Sequence, residues 1–188
     1  MADVITIAGS PSANSRSAAI LATARRLLER HHITTAALSV RELPAEDLMF
    51  GRFDNPAIVT WAAQIASARA VIIATPVYKA AYSGVLKAFL DCLPQHMLAG
   101  KLVLPIATGG SPAHMLAIDY ALRPVLASLG AQHILSGIYV VDTQLRLDDG
   151  LAQLDEPVAQ RLTAALDQLV GLLAPMELTS HDEPVLIG

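Results

Sequence analysis

Short, continuously apolar runs alternate along the chain with longer segments in which apolar residues recur at helical spacing. The apolar runs cover residues 4–8, 34–40, 70–75, 102–108 and 134–141, and the second of them is the weakest. Helices are predicted through Leu28 and over residues 56–68, 84–93, 112–129 and 157–173. Strands that are apolar throughout and separated by helices are typical of a parallel sheet covered on both faces. The pattern therefore predicts an α/β fold.

This alternation also predicts where a ligand binds. Five strands favour the flavodoxin-like order 2-1-3-4-5, a three-layer sandwich whose middle layer is a five-stranded parallel sheet. Ligands of such sheets bind outside the carboxyl ends of the strands, where the strand order reverses. The loops at 9–17, 76–84 and 108–114 follow the first, third and fourth strands, so we expect them to meet at this crevice.

The rest of the chain gives no sign of a second domain. No repeat or linker divides residues 1–174, which we expect to form one flavodoxin-like domain. Residues 142–156 are rich in acidic side chains and are predicted to be a solvated excursion. The tail at 175–188 is polar and then apolar, which fits either disorder or packing on a neighbouring subunit.

Composition narrows the class of protein further. Of 188 residues, 53% are apolar and only 16% are charged, so a homo-oligomer is expected to cover the excess apolar surface. A net charge of −4 without a basic stripe argues against nucleic acid as the main partner. Cys92 is the lone cysteine, and neither a signal peptide nor a transmembrane run is recognisable. We therefore expect a cytoplasmic protein that does not associate with membranes.

The first of the three loops has the residues of a phosphate site. Ser10, Ser15 and Ser17 supply hydroxyl donors, and Arg16 supplies a positive charge where a helix is predicted to begin. Helix N-termini present unpaired N–H groups and a positive dipole end, which suit an anion. Neither a G-x-G-x-x-G nor a G-K-[ST] motif is present, which disfavours a Rossmann dinucleotide site and a P-loop triphosphatase. The alternative is an ordinary serine-rich turn in which Ser15 or Ser17 caps the helix.

The second and third loops have the residues of a slot for a planar ring. Pro76 fixes the backbone, and Tyr78 offers an apolar face beside exposed backbone N–H groups. Gly109 and Gly110 let the backbone approach a ligand closely. The alternatives are packing at a rim or a subunit interface for Tyr78, and a tight turn for the two glycines. The expected convergence of the three loops favours a ligand site.

Pro124 interrupts the helix predicted over residues 112–129. It cannot donate to the carbonyl of Tyr120, and its ring crowds that oxygen. A kink or a π-bulge around Tyr120 relieves both problems. The alternative is a simple kink with Tyr120 as a core or interface aromatic. An unbroken α-helical ladder from His114 to Leu126 would contradict the π-bulge.

These segments resemble the NADPH-dependent FMN reductase family and, within it, the reductases of two-component alkanesulfonate monooxygenase systems. The similarity extends from Val4 to about Thr143. The segments that carry it are 8–11, 15–17, 52–54, 74–84, 104–105, 108–110 and 119–122, and the run 74–84 is the most specific of them.

The resemblance implies a flavodoxin-like NAD(P)H:FMN oxidoreductase that is a homotetramer and handles FMN largely as a substrate. It implies that the FMN phosphate is held by Ser10, Ser15, Arg16 and Ser17. It implies that the isoalloxazine is lined by Pro76, Val77, Tyr78, Ser83, Thr108, Gly109 and Gly110. It also implies that an inserted Tyr120 forms a π-helix near the flavin at the tetramer interface and loosens flavin binding. The resemblance implies, finally, that reduced flavin passes to a separate FMNH2-dependent monooxygenase, which releases sulfite from alkanesulfonates for sulfur metabolism.

The expected chemistry is direct hydride transfer from nicotinamide C4 to flavin N5, with either NADPH or NADH as the donor. This transfer needs no acid, base or nucleophile from the protein, and the histidines lack metal-ligand spacing, so we assign neither a catalytic residue nor a metal. Two alternatives of the same fold stay open. One is a quinone or azo reductase with permanently bound FMN, and the other is a non-enzymatic electron carrier of the flavodoxin type.

Overall fold

A central sheet carries helices on both of its faces, and the computed structural model describes residues 2–174. The strands of this sheet are β1 (Val4–Ala8), β2 (Thr35–Ser39), β3 (Ala70–Tyr78), β4 (Ala81–Tyr82), β5 (Leu102–Gly109), β6 (His133–Ile134) and β7 (Ile138–Val141). A separate hairpin consists of β8 (Leu145–Asp148) and β9 (Leu151–Leu154). The helices are α1 (Arg16–Arg30), α2 (Ala45–Met49), α3 (Pro56–Ser67), α4 (Gly84–Asp91), α5 (Arg123–Ser128) and α6 (Glu156–Leu173). The tail at 175–188, with its predicted disorder or packing, lies outside the described residues.

The strand pairing confirms a parallel α/β fold but not the predicted number of strands. Seven strands form the sheet: its path is β2-β1-β3-β5-β6, and β4 and β7 pair with β3 and β5 off this path. The predicted five-stranded sheet with order 2-1-3-4-5 is therefore wrong. β3 turns back into the short antiparallel β4, and the predicted last strand is divided into β6 and β7. Strands of two residues are too short to produce a periodic signal in the sequence.

Two apolar cores lie on opposite faces of the sheet. Ile7 points into one of them with Phe89 of α4, and α3 and α5 cover the same face. Val4 points into the other with Ile20 of α1 and Leu166 of α6. Because both faces are buried, neighbouring strand positions are all apolar, and this explains the continuous runs in the sequence.

The predicted helix over residues 112–129 is in fact three segments. A 3₁₀ turn over Pro112–His114 is followed by a π-helix over Ile118–Leu122 and then by α5. The N–H of Arg123 donates to the carbonyl of Ile118, five residues back, in the widened ladder of a π-helix. The ladder widens immediately before Pro124, which has no N–H to contribute. The continuous helix is wrong, and the π-bulge around Tyr120 is confirmed.

The acidic segment 142–156 is more structured than predicted. Its hairpin of β8 and β9 buries Leu145 and Ala152 in the core shared with α1. The hydroxyl of Thr23 in α1 donates to the carbonyl of Ala152 and accepts from the N–H of Ala152, at 3.2 and 3.1 Å. The prediction of a solvated excursion is therefore wrong for the inward face of this hairpin. Of the acidic side chains that suggested it, Asp148 and Asp149 lie at the turn of the hairpin and are exposed.

Candidate functional site

The carboxyl ends of β1, β3 and β5 open onto a cavity of about 310 Å³. This volume lies at the lower end of the range for small-molecule sites, about 300–1,000 Å³. The three loops predicted to converge do meet here. The residues that line the cavity are Ser10, Ser12, Asn14, Ser15, Arg16, Pro76, Val77, Tyr78, Thr108, Gly109, Gly110 and Asp142.

Hydroxyl groups and one guanidinium gather at the α1 end of the cavity. The Ser15 hydroxyl caps α1 by accepting from the N–H of Ala18 at 3.2 Å. The Ser10 hydroxyl accepts from the N–H of Ser12 at 3.2 Å, which holds the loop in a tight turn. Arg16 is the first residue of α1, and its side chain is about half exposed. Ser15 is therefore both a helix cap and a cavity residue, so the two interpretations of this loop are compatible.

Two predicted site residues lie behind the cavity rather than in its wall. Ser17 is fully buried, and its hydroxyl is 2.9 Å from that of Ser15. Ser83 is also buried, caps α4 at the N–H of Leu86, and donates to the carbonyl of Gly9. Its own N–H donates to the hydroxyl of Thr75 at 3.0 Å. Ser83 thus ties the first loop to the second and positions both of them.

The other end of the cavity is a slot over the carboxyl ends of the neighbouring strands β3 and β5. Pro76, Val77 and the half-exposed ring of Tyr78 line its β3 side, and bare backbone at Gly109 lines its β5 side. A Cβ atom at Gly109 would lie 2.2 Å from the phenol oxygen of Tyr139, so this position requires glycine. The Tyr139 phenol takes the space that a side chain would fill, and Gly109 presents only its backbone to the cavity.

Tyr139 supports the third loop from below. Its hydroxyl donates to the carbonyl of Ser111 at 2.7 Å. Burial raises the pKa of the Tyr139 phenol, and the negative charge of Asp142 raises it further. The phenol therefore keeps its proton and remains a hydrogen-bond donor to the loop.

The turn between β3 and β4 is strained and is held by the π-helix. Lys79 and Ala80 have φ angles of 49° and 66°, a left-handed conformation that residues with a Cβ rarely adopt. Two-residue hairpin turns of this shape usually contain Asn-Gly. The hydroxyl of Tyr120 donates to the carbonyl of Ala80. Tyr120 does not line the cavity, but it contacts the turn that follows the cavity residues Val77 and Tyr78.

Sequence reasoning missed three of the residues that line the cavity. Ser12 and Asn14 line the cavity and lie in the predicted phosphate loop, but the sequence predicts no role for them. Asp142 follows β7, and its carboxylate is 3.6 Å from the guanidinium of Arg16. The available signal was position, because Asp142 comes directly after a predicted strand, at the end of the sheet where ligands bind.

The described part of the chain offers neither a cluster of metal ligands nor an exposed thiol. Residues 2–174 contain no cluster of three or more His, Cys, Asp or Glu side chains that could hold a metal ion. Cys92 is buried, and burial raises the pKa of its thiol, which disfavours the reactive thiolate. Over the same residues, no helix is long and apolar enough to cross a membrane.

Comparison with known proteins identifies the family. A sequence profile described as NADPH-dependent FMN reductase matches residues 2–146. The chain belongs to this family. An FMN reductase (NADPH) from Pseudomonas putida KT2440 is 48% identical over 166 residues, which cover 87% of this chain and 84% of the relative. An FMN reductase (NADPH) from Escherichia coli K12 is 47% identical over 164 residues, which cover 87% of this chain and 86% of the relative.

Solved structures agree with this assignment. The apo form of an NADH:FMN oxidoreductase superposes with a TM-score of 0.83 at 38% identity, covering 100% of both chains. A flavodoxin from Streptococcus pneumoniae TIGR4 superposes with a TM-score of 0.62 at 17% identity, covering 90% of this chain and 97% of the flavodoxin, which confirms the flavodoxin-like fold. The FMN reductase family assignment confirms the predicted enzyme class, NAD(P)H:FMN oxidoreductase, and the use of FMN and NAD(P)H.

Proposed function

We propose that the cavity at the carboxyl ends of β1, β3 and β5 binds FMN, and that this FMN reductase releases reduced flavin to a separate FMNH2-dependent monooxygenase. One observation carries the flavin assignment. The cavity is divided into a hydroxyl- and guanidinium-rich end at the start of α1 and a slot lined by Pro76, Val77 and Tyr78 of β3 and by the backbone of Gly109. FMN has the same division, since a phosphate lies at one end of the molecule and a planar ring at the other.

The α1 end fits the phosphate. Ser10 and Ser15 offer hydroxyl donors, Arg16 offers a charged donor, and the helix N-terminus adds backbone N–H groups. Ser17 acts from behind by sharing a hydrogen bond with Ser15. Short hydroxyls and a guanidinium at a helix start are the donor set that a terminal phosphate requires.

The slot fits the isoalloxazine. Val77 and Tyr78 offer apolar contact to one face, while Thr108, Gly109 and Gly110 bring backbone close to the ring edge. When bound, FMN supplies the ring that accepts the hydride of NADPH or NADH. The role of the chain is to hold that ring in place and leave one face open for the nicotinamide, whose reacting carbon must approach to roughly 3–3.5 Å. Backbone N–H groups around Gly109 and Gly110 would stabilise negative charge on a bound flavin ring.

The hairpin and the π-helix support the proposal that the flavin leaves after reduction. Val77 and Tyr78 precede a turn that is strained at Lys79 and Ala80 and is held by the hydroxyl of Tyr120. A strained turn relaxes at low cost, so this wall of the slot is suited to a flavin that enters and leaves in every cycle. A quinone reductase or a flavodoxin-type carrier instead requires a wall that retains FMN.

The monooxygenase partner and the assembly complete the proposal. The resemblance of this chain to the alkanesulfonate-linked reductases supports our proposal that the reduced flavin passes to a cytoplasmic monooxygenase that desulfonates alkanesulfonates. We further propose a homotetramer, which the exposed apolar side chains of Met49, Phe50 and Phe53 support, since they are 77, 69 and 69% exposed. Light scattering on a size-exclusion column measures the assembly directly, and a monomer at micromolar concentration would contradict the tetramer.

Steady-state oxidation of NADPH and NADH with varied FMN tests the central proposal. We expect saturation in added FMN, and a purified protein that is nearly colourless. A protein that stays yellow and ignores added FMN would favour a permanently bound flavin. Sulfite release by an alkanesulfonate monooxygenase, with this reductase as the source of reduced flavin, tests the partner.

A variant of Arg16 tests the phosphate assignment. Arg16→Gln is expected to weaken FMN binding about tenfold, because a charge-assisted hydrogen bond to the phosphate is lost. Riboflavin, which has no phosphate, is expected to bind both proteins equally. Arg146→Gln is the matched control, since Arg146 is an exposed arginine of β8 and does not line the cavity. Equal losses for FMN and riboflavin would contradict the assignment.

A further inference from the structure

The charged side chains among the described residues of the cavity wall are Arg16 and Asp142. They form an ion pair with 3.6 Å between the guanidinium nitrogen and the carboxylate oxygen. Their side chains are 48% and 36% exposed, so both charges line the cavity and are partly open to solvent. The guanidinium proposed to bind the phosphate therefore has an anionic partner within the protein.

Asp142 is held at this position by the backbone around it. It begins a short 3₁₀ helix, Asp142–Gln144, directly after β7. The side-chain carbonyl of Gln144 accepts from the N–H of Val141 at 3.0 Å, which fixes the start of this turn. A Cβ atom at Gly110 would lie 4.0 Å from the Asp142 carboxylate, so the carboxylate lies beside the third loop while it faces the first.

Such a pair opposes the binding of a phosphate in two ways. A phosphate that reaches Arg16 must share or replace the Asp142 carboxylate as the partner of the guanidinium. Asp142 also stays at the cavity wall as a negative charge close to a dianion, and like charges at this distance repel. Neither effect acts on a flavin without a phosphate.

We propose that Asp142 is an affinity- and specificity-determining residue that weakens the hold on the flavin phosphate, so that reduced FMN dissociates readily. The proposal rests on the proposed FMN site and adds a residue that acts against binding. The carboxylate reduces the preference for FMN over riboflavin and shortens the time for which FMN stays bound. It serves a reductase that must release its flavin and would be a disadvantage in a protein that retains FMN.

Flavin titrations of the wild type and of Asp142→Asn test this proposal. FMN and riboflavin are added to the protein separately, and quenching of flavin fluorescence gives the dissociation constants. Asp142→Asn is expected to lower the FMN dissociation constant about three- to tenfold, the range that a partly exposed charge contributes. The riboflavin constant is expected to stay unchanged, and the FMN dissociation rate is expected to fall with the FMN constant.

Two further variants make the test specific. Asp142→Ala removes the hydrogen-bond acceptor as well as the charge, and is expected to change FMN affinity in the same direction. Asp149→Asn removes an equal charge at the exposed turn of the β8–β9 hairpin, away from the cavity wall, and is expected to change neither flavin constant.

The outcomes separate this inference from the proposed function. Weaker FMN binding in Asp142→Asn would show that the carboxylate orients Arg16 instead, and would overturn the inference. Equal changes for FMN and riboflavin, or no change, would overturn it as well. In each of these cases a wild type that binds and reduces FMN leaves the proposed function intact, whereas a wild type that does not bind FMN refutes the proposed function itself.

Discussion

Replacing Gly109 with alanine is expected to disrupt the packing of β5 against β7 at the wall of the proposed flavin site. The new Cβ atom would lie 2.2 Å from the hydroxyl oxygen of Tyr139 and 3.2 Å from its Cζ atom. Real Cβ atoms essentially never come within 3.0 Å of a neighbouring heavy atom, so either the Tyr139 ring or the β5 backbone must move. Because the Tyr139 side chain is buried where β7 pairs with β5, the ring has little room to turn away.

The expected cost has two sources. Overpacking of a buried site costs about 1–3 kcal/mol. Displacing the Tyr139 hydroxyl also breaks its 2.7 Å hydrogen bond to the carbonyl of Ser111, which is worth about 0.5–1.5 kcal/mol. We therefore expect Gly109→Ala to lower the free energy of unfolding by about 2–4 kcal/mol and to weaken FMN binding, since Gly109 and Ser111 belong to the same loop.

Urea denaturation of a double-mutant cycle identifies the cause. Tyr139→Phe alone removes the hydroxyl and is expected to cost about 1 kcal/mol. In the double variant the nearest atom to the new Cβ is the ring carbon at 3.2 Å, so most of the clash is relieved. The two effects are then non-additive by about 1–2 kcal/mol.

Gly171→Ala is the control for this cycle. No atom lies within 4 Å of a Cβ at that position in α6, and alanine is the better helix former, so we expect stability to stay equal or to rise. Strict additivity of Gly109→Ala and Tyr139→Phe, or wild-type stability of Gly109→Ala, would refute the packing argument.

Three other variants or measurements test the remaining features. Changing Lys79-Ala80 to Asn-Gly relieves two left-handed residues and is expected to raise the free energy of unfolding by about 1–2 kcal/mol in a thermal melt; an unchanged or lower value would contradict the strain. Lys101 donates to the carbonyls of Ala66 and Ala68, and burial lowers its pKa, so the unfolded chain binds this proton more tightly. The free energy of unfolding is therefore expected to rise with pH between the lowered pKa and the ordinary lysine pKa, relative to Lys101→Met in urea titrations at each pH, and a difference independent of pH would contradict this. Cys92 is expected to react slowly with a thiol-specific disulfide reagent in the native protein and at once in urea, and rapid native labelling would contradict its burial.

Much of the fold was predictable from the sequence because burial on both sheet faces leaves a simple pattern. Every residue of β1 and most residues of β3 and β5 are buried, so these strands are continuous apolar runs. The loops after them were recognisable because a parallel sheet places its ligand site at the carboxyl ends of its strands. Pro124 predicted the π-helix from local sequence alone, because proline has no N–H to continue the hydrogen-bond ladder of an α-helix.

The features that sequence reasoning missed depend on contacts between distant parts of the chain. β4 is two residues long and exists through its pairing with Val77 and Tyr78. The hairpin of β8 and β9 is buried on one face by α1, more than a hundred residues earlier in the chain. In the sequence, Asp142 is one of several acidic residues in its segment. In the folded structure it lies opposite Arg16.

The sequence by itself determined the α/β class, the three loops that form the cavity, the break before Pro124 and the resemblance to FMN reductases. Each of these features depends on local periodicity or on residues that are contiguous in the chain. Only the tertiary structure decided which serines face the cavity and which stand behind it. It likewise decided that Gly109 must be glycine because of Tyr139 and that Asp142 pairs with Arg16. The Gly109–Tyr139 packing and the Arg16–Asp142 pair depend on distances between residues far apart in the chain, and the folded sheet alone sets these distances.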